Sequence, residues 1–121
     1  KEIAVVHAGW RGLANGIVER VVEKFNSTEL QAWLGPAIGP CHYEVDHKVR
    51  DSFQNDQGFL KGRDSQHWML DLCEQARNQL LVQGVSSVTA SGICTACDDR
   101  FYSHREMSPT GRFGIFLWKT H

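Results

Sequence analysis

A chain of 121 residues is enough for one domain with a real hydrophobic core and short for two. Its 13 basic and 14 acidic side chains nearly cancel, which removes the broad positive field expected of a protein that binds nucleic acid or anionic lipid. Apolar residues make up 41%, an ordinary globular value, and no apolar run approaches the roughly 20 residues that spanning a bilayer requires. The expected partner is therefore a small molecule and the expected setting cytoplasmic. Four cysteines, Cys41, Cys73, Cys94 and Cys97, fit reduced thiols better than a disulfide framework.

The first element is Ile3-Ala4-Val5-Val6, a continuous β-rich run whose brevity predicts a strand buried on both faces. From Leu13 the period changes. Leu13, Ile17, Val18, Val21, Val22 and Phe25 make one helical stripe opposite Asn15, Glu19, Arg20, Glu23 and Lys24, as in a helix docked on a sheet. "LQAWLG" (30–35) predicts a second strand, completing a βαβ order, and is stopped by Gly35-Pro36. Residues 36–41 form a loop. Asp46 is the expected N-cap of a short helix through Phe53, with Val49 and Phe53 facing inward. Residues 54–66 show no period and much polarity, which predicts an exposed excursion. "HWML" (67–70) reads as a strand, and Asp71 then caps a helix with Leu72, Cys73, Ala76, Leu80 and Leu81 on its apolar face, stopped by Gly84. Strands at 85–92 and 111–119 complete an α/β domain with a mixed sheet.

His7 follows the first strand and precedes a glycine-rich turn into a helix, the place where open α/β sheets hold ligands. A core histidine bonded to backbone is the competing reading from position alone. The turn favours a site: Gly9 and Gly12 allow close backbone approach, Arg11 offers a planar fork of donors for an anion, and Trp10 a stacking face. Cys94 and Cys97 have the CxxC spacing shared by zinc sites and redox dithiols. One CxxC is two ligands short of a zinc site; His104 is near in sequence, and Cys41 could be near in space. With no second CxxC, unligated thiols are the expectation. "FYSHREMSPTGRF" (101–113) gathers Ser103, His104, Arg105 and Arg112 in a turn-rich stretch that is either substrate-facing or solvated, and Ser103 lacks the GxSxG elbow of a nucleophile.

Four pieces in order, "HAGWRG" (7–12), "GPAIGPCHYEV" (35–45), "LDL" (70–72) and "CT" (94–95) with "FYSHR" and "TGR" (110–112), resemble the laccase-domain family. Its members go by multicopper polyphenol oxidase, purine nucleoside phosphorylase or peptidoglycan-editing factor. The resemblance runs almost end to end. It implies a mixed-sheet α/β sandwich and a zinc site of two histidines and one cysteine, in which His7 matches the second histidine and is both metal ligand and catalytic residue. The other two ligands are expected upstream of Lys1, so residues 1–121 are expected to form the C-terminal portion of a single such domain. Cys41, Cys94 and Cys97 do not match the family's zinc cysteine.

For the intact family the implied chemistry is phosphorolysis of purine nucleosides to base and ribose 1-phosphate, with adenosine deamination at the same site. Arg11 and then Arg105 are the candidates for the phosphate or ribose, and Trp10 for packing around the metal. Glu106 departs from the family's usual arginine, weakening the case for anion binding in that loop. Two alternatives stay open. Copper-dependent phenol oxidation is one, since imidazole and thiolate also bind copper. The other is an inactive half-domain that self-associates until its missing part is supplied.

Overall fold

The computed structural model describes residues 2–26, 28–94 and 97, together with the backbone of 115–119. A four-stranded sheet holds β1 (Ile3–Val6), β7 (Ile115–Lys119), β2 (Leu30–Leu34) and β6 (Ser87–Ala90) in that spatial order. β7 runs antiparallel to both β1 and β2, while β2 and β6 are parallel, so the expected mixed sheet is present. The βαβ order of β1 and β2 is real, yet β7 lies between them: two strands 25 or so residues apart point the same way without touching.

Period 2 decides which face of this sheet is buried. Leu30, Ala32 and Leu34 of β2 point into the core, and Ala4, Val6 and Val88 pack against the same cluster. β1 departs from the expectation. Ile3 and Val5 are 67% and 63% exposed, because they alternate with Ala4 and Val6 and point to the face of the sheet away from the core. A continuous apolar run does not distinguish a strand buried on both faces from one that leaves β-branched residues outside.

The helical stripe from Leu13 is divided between α1 (Trp10–Ala14) and α2 (Ile17–Glu23). Between them Gly16 takes φ 83°, a left-handed conformation that interrupts the helix without a Cβ penalty. Leu13 and Val18 are buried, and Ile17, Val21, Val22 and Phe25 line the same core. The helix α4 (Leu72–Val82) packs beside them and against β6. Asp71 caps it as expected, accepting from the Glu74 N–H at 3.1 Å, and Gly84 at φ 88° follows its end. Its inward face differs in two places. Leu81 is 48% exposed, and Gln75 is wholly buried.

A second sheet, ordered β3 (Glu44–Asp46), β5 (His67–Leu70) and β4 (Phe59–Lys61), is antiparallel throughout. The predicted strand at 67–70 is its centre. β4 lies inside the stretch expected to be an exposed excursion; Leu60 and Lys61 are exposed, but Phe59 sits edge-on to Phe53 at 5.4 Å between ring centroids. Its pairing with β5, rather than any apolar period, makes it a strand. Asp46 accepts from the N–H groups of Lys48 and Val49 and starts α3 (His47–Arg50), with Val49 and Phe53 buried as predicted.

Candidate functional site

Strand directions place the interesting residues at one end of the sheet. β1, β2 and β6 all run the same way, and Val6, Leu34 and Ala90 occupy aligned register positions around Ile115. The segments that leave these strands carry His7, the loop 35–43 and the turn into Cys94, at the carboxyl ends where α/β sheets bind ligands. With strands about 4.8 Å apart, the ends of β1 and β2 are separated by roughly 10 Å.

His7 is exposed, and Gly9 in extended conformation caps α1 directly after it. The exposed Arg11 lies over the Trp10 ring, its guanidinium carbon 5.1 Å from the centroid. This cation–π contact holds the arginine head at the mouth of the turn. Arg105 lies outside the described residues, as do Ser103, His104, Glu106 and Arg112. His7 belongs to no group of three potential metal ligands among the described residues. One imidazole does not make a zinc site, so the three-ligand centre implied by the resemblance does not fit the described residues alone.

A different group does assemble. The ligand atoms of Cys41, His42, Cys94 and Cys97 all lie within 4.8 Å of one another. Backbone pairing brings them together. Ser91 donates its N–H to the Leu34 carbonyl at 2.9 Å and Ala37 its own to Ile93 at 3.2 Å, and Ala37 bridges Cys94 in parallel, so the two segments continue side by side beyond β2 and β6. Cys41 Sγ is 3.6 Å from Cys94 Sγ and 3.3 Å from Cys97 Sγ, and His42 Nδ1 is 3.1 Å from Cys41 Sγ and 3.3 Å from Cys97 Sγ. Hydrogen bonding to Cys41 and then Cys94 pushes the Cys97 thiol up to about 12. The protein alone thus keeps Cys97 a thiol, and a cation would have to displace its proton. None of the four cysteines is in a disulfide.

The CTAC cysteines, expected as unligated thiols, therefore have two partners that local spacing did not supply. Cys41 was visible as a spatial possibility; its neighbour His42 carried no signal beyond adjacency. Cys73 stands apart from the group. Burial, reinforced by Asp71, pushes its thiol up to about 11, and it lines a small apolar gap with Ala8, Leu34 and Ala76. A groove of about 350 Å³ between α1, α2 and α4 is lined by amides, including Asn15, Asn55 and Gln79, and includes neither His7 nor the thiol group. No helix among the described residues is long and apolar enough to cross a membrane.

Residues 1–120 match the family model described as multi-copper polyphenol oxidoreductase laccase. A purine nucleoside phosphorylase of Pseudomonas aeruginosa is 42% identical over 124 residues, 96% of this chain and 51% of that protein. The purine nucleoside phosphorylase YfiH of Escherichia coli K12 is 37% identical over 97% of this chain and 51% of its own length. Among solved structures, a Neisseria meningitidis protein superposes with a TM-score of 0.81 at 29% identity, covering 98% of this chain and 56% of that one. YlmD from Geobacillus stearothermophilus does so with a TM-score of 0.75 at 31% identity, over 98% and 54%. The chain spans about half the length of the relatives it matches, and it belongs to the multi-copper polyphenol oxidoreductase laccase family.

Proposed function

We propose that this chain is the C-terminal portion of a single-domain purine nucleoside phosphorylase, with purine nucleoside and phosphate as its substrates and adenosine deamination as a second activity of the same site. The observation that carries the reading is the likeness to proteins named purine nucleoside phosphorylase, 37–45% identical across nearly all of this chain. The exposed His7 at the end of β1, beside a glycine-capped helix start, is consistent with a ligand site there. In this reading His7 supplies one imidazole to a zinc ion whose other ligands come from outside the described residues. Bound zinc would supply an electrophile and an acidified water. Arg11 binds the phosphate or ribose oxygens through its guanidinium fork, and Arg105 joins it. Trp10 supports Arg11 by stacking. β1 and β6 form the sheet edges among the described residues, where a further part of the domain or a second copy would pair.

The test is release of free base and ribose 1-phosphate from adenosine and inosine by the full-length protein. We expect phosphate-dependent turnover that falls by more than about 100-fold in His7→Ala, beyond the loss typical of a residue acting only indirectly on a metal. Arg11→Lys should raise the KM for phosphate, because a point charge replaces a bidentate fork. No phosphorolysis by the full-length protein, or an unimpaired His7→Ala, would sink the reading. The family description favours a second reading, copper-dependent phenol oxidation, which requires copper in the purified protein and oxygen uptake with a phenol substrate.

A further inference from the structure

We infer that Cys41, His42, Cys94 and Cys97 form a closed, tetrahedral zinc site that staples the loop after β2 to the turn after β6. This goes beyond the nucleoside reading and stands without it, since His7 is not among the four ligands.

The distances carry the inference. In a tetrahedral site with Zn–S near 2.3 Å and Zn–N near 2.05 Å, neighbouring ligand atoms lie roughly 3.5–3.8 Å apart. Five of the six edges of this group measure 3.6, 3.3, 3.1, 3.3 and 4.0 Å, and the sixth, between Cys94 and Cys97, is within 4.8 Å. Residues from two segments more than 50 positions apart thus already outline a tetrahedron of a size that suits the ion. Cys97 N–H bonds the Cys94 carbonyl at 3.2 Å, which keeps the two CxxC cysteines close together.

The surroundings suit thiolates as well. Gly39 donates its backbone N–H to Cys94 Sγ at 3.0 Å, the kind of outer contact that orients a metal-bound sulfur. A Cβ on Gly39 would lie 3.2 Å from Cys94 Cβ, 3.3 Å from its Sγ and 3.5 Å from Cys41 Sγ, so this glycine leaves the room the group occupies. Three soft sulfurs and one imidazole select zinc over the hard cations. With four protein ligands no position is left for water or substrate, which assigns the ion a structural rather than a catalytic part. Each thiol gives its proton to solvent as its sulfur binds, and no redox change is involved.

The experiment loads the reduced full-length protein with Co(II) as a spectroscopic stand-in for zinc, then with Zn(II) for X-ray absorption. We expect a cobalt–thiolate charge-transfer band and intense tetrahedral visible bands, retained in His7→Ala and abolished when Cys41→Ser and Cys97→Ser are added to that variant. The zinc shell attributable to this group should hold three sulfurs near 2.3 Å and one nitrogen near 2.0 Å. Absence of a thiolate band in the unmutated protein overturns the inference, which keeps the test valid even if the combined variant fails to fold. A band lost in His7→Ala, or kept when the cysteine changes are added, overturns it too, as does a Cys41–Cys97 disulfide that leaves no zinc uptake after reduction.

Discussion

Replacing Gln75 by Met keeps most of the side-chain volume and removes every hydrogen bond this residue makes through its amide. Gln75 is the one wholly buried polar side chain among the described residues. Its Nε2 donates to the Gln57 carbonyl at 2.7 Å and to Asn55 Oδ1 at 3.1 Å, while its Oε1 accepts from Gln79 Nε2 at 3.0 Å. Gln79 in turn reaches the Leu13 carbonyl at 3.1 Å, so the chain of amides ties the segment before β4 to α4 and α1. Three bonds at about 1 kcal/mol each set the scale at about 3 kcal/mol. Gln57 is exposed and Asn55 half-buried, so both recover some hydration when the amide goes. The expected loss for Gln75→Met is therefore about 2–3 kcal/mol. Gln75→Ala adds the removal of a buried methylene stem and a cavity, raising the loss to about 4 kcal/mol. Urea unfolding followed by tryptophan fluorescence measures this, with an unchanged slope showing that the unfolded state is the same. A loss below about 0.5 kcal/mol for Gln75→Met would refute the account, because the network would then contribute nothing that water does not replace.

Two further outcomes test local parts of the fold. Gly58 and Gly84 share a left-handed backbone, at φ 82° and 88°, but differ in space: a Cβ on Gly58 would stand 2.5 Å from the Asp71 carbonyl oxygen, whereas one on Gly84 meets nothing within 4 Å. Gly84→Ala should cost about 1 kcal/mol and Gly58→Ala at least twice that; equal losses in thermal or urea unfolding would show that backbone conformation alone matters. Desolvation tends to raise the Asp46 carboxyl, and the N–H groups of Val49 and Lys48, with His47 and Lys48 nearby, together hold it below the ordinary carboxylate range. A depressed folded value means that its charge stabilises the fold above the unfolded value near 3.9 and ceases to do so as pH falls through the folded value. The stability gap between wild type and Asp46→Asn should accordingly narrow from about pH 6 to about pH 2.5, and a gap that stays constant would remove the charge from the explanation.

Much of the fold is written in short-range chemistry. Asp46 and Asp71 cap helices because a carboxylate followed by free backbone N–H groups satisfies them wherever it occurs, and Gly84 ends α4 because only glycine enters the left-handed region freely. "LQAWL" before the Gly35-Pro36 breaker similarly reads as a strand, and the structure adds that its alternate residues Leu30, Ala32 and Leu34 are the buried ones. The ordered motifs from "HAGWRG" onward were enough to place the chain in its family. Tertiary structure alone decided what depends on partners distant in sequence. The exposure of Ile3 and Val5 follows from the core covering only the face of β1 that holds Ala4 and Val6, and Phe59–Lys61 is a strand because β5 offers it a ladder. Gln75 is buried because Asn55 and Gln57 fold back onto α4 to satisfy its amide, which no helical period encodes. The thiol and imidazole group is the fullest case: residues 41–42 meet 94 and 97 only because β2 and β6 pair in parallel, and hydrogen bonds between their backbones carry both segments onward together.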